Sequence, residues 1–189
     1  GVRSAGGYVS FPARGGDGGE HEDLQGVNLC GTEKPDAGSV RKRKMKRIVV
    51  TGATSMIGVA LIEECLRHDI EIYAVVRSSS GKAGRFPFSD KIHLTDCSLE
   101  DLSDLPGRIP GGCDTFYHIA WGNTGEARNK STELQSRNIF YTLQAVRAAA
   151  ELGCRRFIGA GSQAEYGPMD VEKISPDSPV NPSTPYGAS

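Results

Sequence analysis

From residue 47 onward the apolar positions of this chain alternate between two rhythms. Ile48, Val49 and Val50 form a short β-branched run without a polar interruption, the pattern of a strand buried on both faces in a parallel sheet. Beyond a turn, Ile57, Leu61 and Cys65 recur at helical spacing, with Glu63, Glu64 and Arg67 on the other side. This predicts an amphipathic helix with those three apolar residues on its buried face. A second apolar run at 72–76 completes a strand, turn, helix and strand. Further strands are predicted at 91–94, 115–120 and 157–160. A short helix over 99–105 and a turn-rich connector over 106–112 fill the gap before the fourth strand. A long helix before the fifth carries Leu134, Ile139, Leu143, Val146 and Ala150 as its apolar stripe, with Gly153 as its C-terminal cap. Strands alternating with helices in this way predict an α/β fold built on a doubly wound parallel sheet.

The turn after the first strand reads Thr51-Gly52-Ala53-Thr54-Ser55-Met56-Ile57-Gly58. One glycine stands at the strand exit and one inside the first helical turn, where a tight bend and a close helix–strand approach need no Cβ. Bare amides and the positive end of the helix then converge on one point, which makes a phosphate site, and the βαβ setting suggests a dinucleotide in a Rossmann-type domain. Gly52, Thr54, Ser55, Met56, Ile57 and Gly58 are therefore cofactor candidates. Arg77 ends the second strand, where an NAD site usually has an acidic side chain for the ribose 2′-hydroxyl. A guanidinium, followed by Ser78, Ser79, Ser80 and Lys82, suits a 2′-phosphate better, so NADP is favoured over NAD; the alternative is an arginine merely exposed at a strand end. Behind the third strand, Asp96 is placed either to meet an adenine amino group or to cap the helix at 99–105, with Cys97 beside it. His118 falls at the carboxyl end of the fourth strand and reads as a buried, hydrogen-bonded structural histidine, with no chemical step assigned to it.

The formal net charge of -1 gives no reason to expect nucleic acid or an anionic membrane as partner. No run of eighteen apolar residues exists and no signal-peptide core follows the N-terminus. Cys30, Cys65, Cys97, Cys113 and Cys154 are scattered, which favours free thiols in a reducing compartment, the cytoplasm. His93 and Cys97 are four apart but span a strand and a loop with no second ligand pair, so no metal site is expected. Residues 1–44 hold ten of the 24 glycines and almost no apolar rhythm, and such a segment buries too little surface to offset its ordering entropy. They read as upstream translated sequence, an expression leader or a disordered tail, with the domain beginning at Met45. The basic run at 41–44 reads as a solvated linker rather than an address or an anion-binding arm.

Four motifs fall in series over residues 45–189: TGATSMIG after the first strand, FYHIAW on the fourth, GSQAEYG after the fifth, and PYGAS. Together they resemble the extended branch of the short-chain dehydrogenase/reductase superfamily, the NAD(P)-dependent sugar epimerase/dehydratase family. The resemblance implies cofactor contacts along the first motif, at Asp96 and Cys97, and at Ile119 and Ala120 in the second. It implies Ser162 and Tyr186 as catalytic residues, a nucleotide-linked sugar as substrate, and a homodimer of the full-length protein built on two long helices. A Ser162 hydroxyl can hold a substrate oxygen while the Tyr186 phenol trades its proton. A free tyrosine titrates near about 10, so it needs a cation beside it. The family's lysine, four residues after the tyrosine, would be residue 190, one past Ser189. The chain therefore reads as the cofactor half of a longer enzyme, with little or no turnover expected from these 189 residues. Thr184 or Ser183 as N-cap and Pro185 at N1 place Tyr186 in a first helical turn, and one turn alone predicts a frayed tyrosine. Ser55 stands where the family usually has its middle glycine, which a serine tolerates if its backbone stays in the helical or β region. Gln163 and Glu165 are expected on the substrate side; a dehydratase would carry an acidic group where Gln163 stands. Epimerisation or 4-keto reduction is the reading, and a non-catalytic NADP(H)-binding module on the same fold is the alternative.

Overall fold

The computed structural model describes residues 8–10, 46–78, 81 and 83–189. Met45, the basic run at 41–44, Cys30, Ser79, Ser80 and Lys82 lie outside the described residues. The sheet contains β1 (Tyr8–Ser10), β2 (Arg47–Thr51), β3 (Glu71–Val76), β4 (Ile92–Asp96), β5 (Thr115–His118) and β6 (Arg156–Gly159), side by side in the order β1-β6-β5-β2-β3-β4. Strands β2 to β6 are parallel, and the near-continuous apolar runs of β2 and β3 match their buried places in the sheet. The chain leaves β2 toward β3 and β4, then returns to lay β5 and β6 on β2's other side. The fold is thus a doubly wound α/β Rossmann-type sheet, and its topological switch point lies between β2 and β5. Tyr8–Ser10 belong to the stretch expected to stand outside the domain, yet their backbone pairs antiparallel with β6. That edge of β6 would otherwise present unpaired amides and carbonyls.

Side chains alternate across the sheet into two cores. Val49, Tyr73, Val75, Phe116 and Phe157 share one core with α2 (Leu105–Arg108) and α3 (Thr132–Glu151). Ile48, Val50, Ile72, Ala74 and Val76 share the other with Ile62 and Cys65 of α1 (Met56–Arg67). At the amino ends of the strands, Arg47 bonds Glu71 at 3.0 Å and the carbonyls of Pro110 and Gly112 at 2.7 Å, which fixes the end of the sheet away from the switch point.

Both long helices bury a different stripe from the one the apolar spacing predicts. In α1, Ile57 is 57% exposed, and the buried face is Gly58, Ile62 and Cys65, one residue round. A Cβ on Gly58 would lie 2.4 Å from the Gly52 carbonyl oxygen and 2.7 Å from that of Ala53, so the face that approaches the strand must pass through this glycine. In α3, Ile139 and Leu143 are about half exposed, while Gln135, Asn138, Tyr141, Ala145, Ala148 and Ala149 are buried. Three alanines let the helix lie close on the sheet, and the two amides are buried because each is fully engaged. The helix expected at 99–105 is instead a 3-10 turn at Leu102–Asp104 running into α2, so Pro106 and Gly107 are helical rather than connector. Pro at the start of a helix removes only an N–H that has no intrahelical partner.

Replacing Gly58 by Ala is expected to lower stability by about 1–3 kcal/mol, the usual range for overpacking. Ile57→Ala, one position earlier on the exposed side, should stay within about 0.5 kcal/mol. Urea unfolding of both variants reads the difference, and equal losses would return the buried face to Ile57.

Candidate functional site

The carboxyl ends of β2, β3 and β5 open into a cleft of about 500 Å³. Its floor is the turn after β2. Gly52 has φ +68°, and a Cβ there would lie 2.6 Å from the Ala120 amide nitrogen, so only glycine fits between the two strand exits. Ser55 is the N-cap of α1, with an extended backbone (φ −73°, ψ 165°) and a hydroxyl that accepts the Gly58 N–H at 3.0 Å. A serine therefore replaces a glycine at this turn without strain, and its hydroxyl satisfies one of the helix's free amides. The structure brings Gly52, Thr54, Ser55, Arg77, Cys97, Ile119 and Ala120 together around this one cleft.

Four cofactor candidates from the sequence do not line it: Met56, Ile57, Gly58 and Asp96. Met56 and Ile57 start α1 with their side chains exposed, and Gly58 is buried beneath the turn. Asp96 caps no helix, because the helix expected behind it starts later; its carboxylate accepts the Ser78 N–H at 2.8 Å and so joins the ends of β3 and β4. Arg85, from the β3–β4 connection, also reaches the cleft and donates to the Thr54 carbonyl at 3.0 Å. It was not legible as a site residue, since the polar loop around it carries no periodic signal. Tyr141 and Glu100, bonded at 3.0 Å, complete the wall from α3 and the β4–α2 loop.

His118 ends β5 and is 4% exposed, with Nδ1 2.8 Å from the Thr51 hydroxyl, and it borders the cleft that also holds Ser162 and Tyr186. Burial pushes its pKa down to about 4, so the imidazole is neutral across the physiological range. The thiols of Cys113 and Cys154 are buried in the core next to α3, and burial raises them to about 11 and about 12, which keeps them protonated. Cys97 donates to the carbonyls of Ser98 and Asp101, and His93 bonds Glu71 at 3.0 Å and stacks on Tyr73, so these two side chains serve separate local structures.

A second cleft, of about 430 Å³, adjoins the first and brings together Ser162, Tyr186, Glu165, Ile139 and Leu143. Ser162 is the N-cap of a 3-10 turn at Gln163–Glu165: its hydroxyl accepts the Ala164 N–H at 3.2 Å, and Glu165 accepts the Ser162 N–H at 2.6 Å. This capping box engages Glu165 in holding the serine's backbone, while Gln163 is exposed and lines neither cleft. Thr184 caps α4 (Pro185–Ala188) by accepting the Gly187 N–H at 3.1 Å, and Tyr186 occupies the first turn as expected. The Tyr186 ring meets Trp121 edge-on at 5.7 Å and carries the Arg128 guanidinium 4.1 Å from its centroid, so tertiary contacts hold what one helical turn alone does not.

A family model described as the NAD dependent epimerase/dehydratase family matches residues 48–189. The chain belongs to this family. Among curated relatives, a UDP-glucose 4-epimerase of Corynebacterium glutamicum is 25% identical over 146 residues, covering 75% of this chain and 43% of the relative. A UDP-glucose 4-epimerase of Mycolicibacterium smegmatis is 27% identical over 148 residues, covering 75% and 47%. A solved UDP-galactose 4-epimerase superposes with a TM-score of 0.65 at 26% identity, covering 75% of this chain and 47% of that one. The chain spans about half the length of the curated relatives it matches. The dinucleotide expected from the glycine turn is in keeping with an NAD-dependent family, and the first cleft fits it: a glycine cradle that a Cβ would fill, backed by a helix N-terminus.

The buried histidine gives a pH test. Its folded pKa of about 4 lies below the unfolded value near about 6.5, so the unfolded chain binds the extra proton between them. Its contribution to stability is complete above about pH 6.5 and is lost as pH falls toward about 4, at up to roughly 1.4 kcal/mol per pH unit. Urea midpoints measured at intervals across this window should fall more steeply in wild type than in His118→Asn. Parallel curves would show that the histidine does not carry the dependence.

Proposed function

We propose that this chain is the cofactor-binding half of an enzyme that epimerises or reduces a nucleotide-linked sugar at C4 by hydride and proton transfer. Residues 45–189 are its NAD(P)-binding domain, to whose sheet Tyr8–Ser10 add an edge strand. The observation that carries the reading is the pair of adjoining clefts, one floored by the glycine turn and the other holding Ser162 and Tyr186. The names of the relatives, UDP-glucose 4-epimerases, support a UDP-sugar as the substrate class. The buried free thiols of Cys65, Cys97, Cys113 and Cys154 fit a reducing cytoplasm, and among the described residues no helix is long and apolar enough to cross a membrane.

When bound, the nicotinamide supplies hydride acceptance and return at a sugar carbon. Gly52, Thr54 and Ser55 would hold the pyrophosphate at the positive end of α1, where the Ser55 N–H is itself donated to the Gly52 carbonyl at 2.9 Å. Ser162 accepts a backbone N–H, which leaves its own proton to donate to a substrate oxygen. Tyr186 moves the proton, and a cation beside the phenol would favour its charged form. For the complete gene product, Ser162→Ala and Tyr186→Phe should each lower the rate of UDP-glucose/UDP-galactose interconversion by at least about a hundredfold with little change in cofactor affinity. Wild-type rates in both variants would overturn the proton-transfer reading.

Between the two cofactors we read NADP(H), on Arg77. It lines the first cleft at the end of β3, where a 2′-substituent would lie, and forms no ion pair among the described residues. Titration by nicotinamide fluorescence should show NADPH bound more tightly than NADH. Arg77→Ala should cost NADPH about ten- to a hundredfold in affinity, the worth of a charge-assisted contact, and leave NADH nearly unchanged. A preference for NADH that ignores the substitution would assign the site to NAD.

A further inference from the structure

Among the described residues, Trp121 alone lines both clefts. It leaves β5 just past Ala120, so its indole stands where the carboxyl edge of the sheet passes from the cofactor side to the Ser162 and Tyr186 side. Three sets of contacts hold it there. The indole Nε1–H donates to the Gln135 side-chain oxygen at 3.0 Å, and Gln135 is fully buried. The Gln135 amide nitrogen donates to the Asn123 carbonyl at 2.8 Å, and its oxygen also accepts from Asn138 at 3.2 Å. Asn138 in turn accepts the Gly122 N–H at 2.7 Å and donates to the Gly122 carbonyl at 3.2 Å. Two buried amides on α3 thus bolt the backbone on the C-terminal side of Trp121 and the indole itself to one rigid helix. Buried amides are costly unless every group is satisfied, so this network specifies one loop conformation.

The far side of the indole meets Tyr186. Their rings are edge-to-face, 5.7 Å apart at 76°, and Arg128, from the same β5–α3 connection, places its guanidinium 4.1 Å from the phenol ring's centroid. Edge-to-face aromatic pairs and a cation over a ring each have a preferred geometry, and together they leave the Tyr186 ring one orientation. Gly187 adds a third restraint: a Cβ there would lie 2.3 Å from the Ala164 carbonyl oxygen, so α4 sits tight on the turn that carries Ser162.

We propose that Trp121 is a positioning residue for Tyr186: fixed by Gln135, its indole and the Arg128 guanidinium set the phenol's orientation, and the same indole is the wall met by a nicotinamide seated in the first cleft. The inference rests on the reading of Tyr186 as the proton carrier, but its geometry is testable apart from that chemistry.

Trp121 is the chain's single tryptophan, so its emission reports this one place. In the 189-residue chain, oxidised NADP⁺, which has no absorption band for long-range energy transfer from tryptophan, should quench Trp121 emission saturably by contact. Tyr186 orientation is read by nitration with tetranitromethane and mass spectrometry, with the other tyrosines as internal controls. Trp121→Ala and Arg128→Ala should each expose Tyr186 to nitration several-fold faster, while Trp121→Phe, which keeps an aromatic edge, should stay near wild type. Arg128 is exposed, so its variant gives the same reading should Trp121→Ala fail to fold. Wild-type nitration of Tyr186 in Arg128→Ala and in a folded Trp121→Ala would overturn the positioning role. NADP⁺ bound by equilibrium dialysis but silent in the emission would overturn the shared wall. Absence of NADP⁺ binding would overturn the shared wall together with the cofactor reading, while the nitration of Tyr186 would still decide the positioning role.

Discussion

Everything at the carboxyl edge of this sheet depends on a close approach of backbone to backbone. Gly52 lies against the Ile119–Ala120 segment, and Gly58 lies against the carbonyls of Gly52 and Ala53. Two successive contacts, each too tight for a methyl group, bring the β2 exit, the β5 exit and the first turn of α1 into one small space. The cleft floor, the direction of α1 and the position of the Thr51–His118 pair follow from them. The approach leaves no side chain between the β2 exit and the first turn of α1.

The second organising device is polar. Gln135 and Asn138 occupy the buried stripe of α3, where a hydrophobic reading expects leucine or isoleucine, and they spend their hydrogen bonds on the loop after β5. The large apolar side chains Ile139 and Leu143 turn toward the second cleft instead. Helix, loop, Trp121 and Tyr186 are thereby linked from the sheet's interior to the cleft that holds Ser162.

The strands, their parallel arrangement and the glycine turn were legible because each is set by local chemistry: β-branched runs and a bend that admits only glycine. The order of the four motifs carried the family. Helix faces were not legible. Ile57, Leu61 and Cys65 form a plausible stripe by hydrophobicity, but the steric demand at Gly58 rotates α1 by one residue. In α3 the same counting failed because burial there is decided by small size and by satisfied amides, neither of which a hydrophobic scale registers. Arg85, Gln135 and Arg128 escaped notice for a related reason. Their partners, the Thr54 carbonyl, the Trp121 indole and the Tyr186 ring, lie across connections whose geometry only the folded chain supplies. An asparagine and a glutamine three apart on one helix face, followed by alanines, is the signal that was available for the network.

The antiparallel pairing of Tyr8–Ser10 with β6 has a kinetic consequence. The two partners are separated by nearly the whole chain, and β6 must itself be placed on β5 before it can offer an edge. Closing so long a loop for three residues of ladder gives little return early in folding. On loop-closure grounds that strand is expected to join the sheet after the five parallel strands and to open before them.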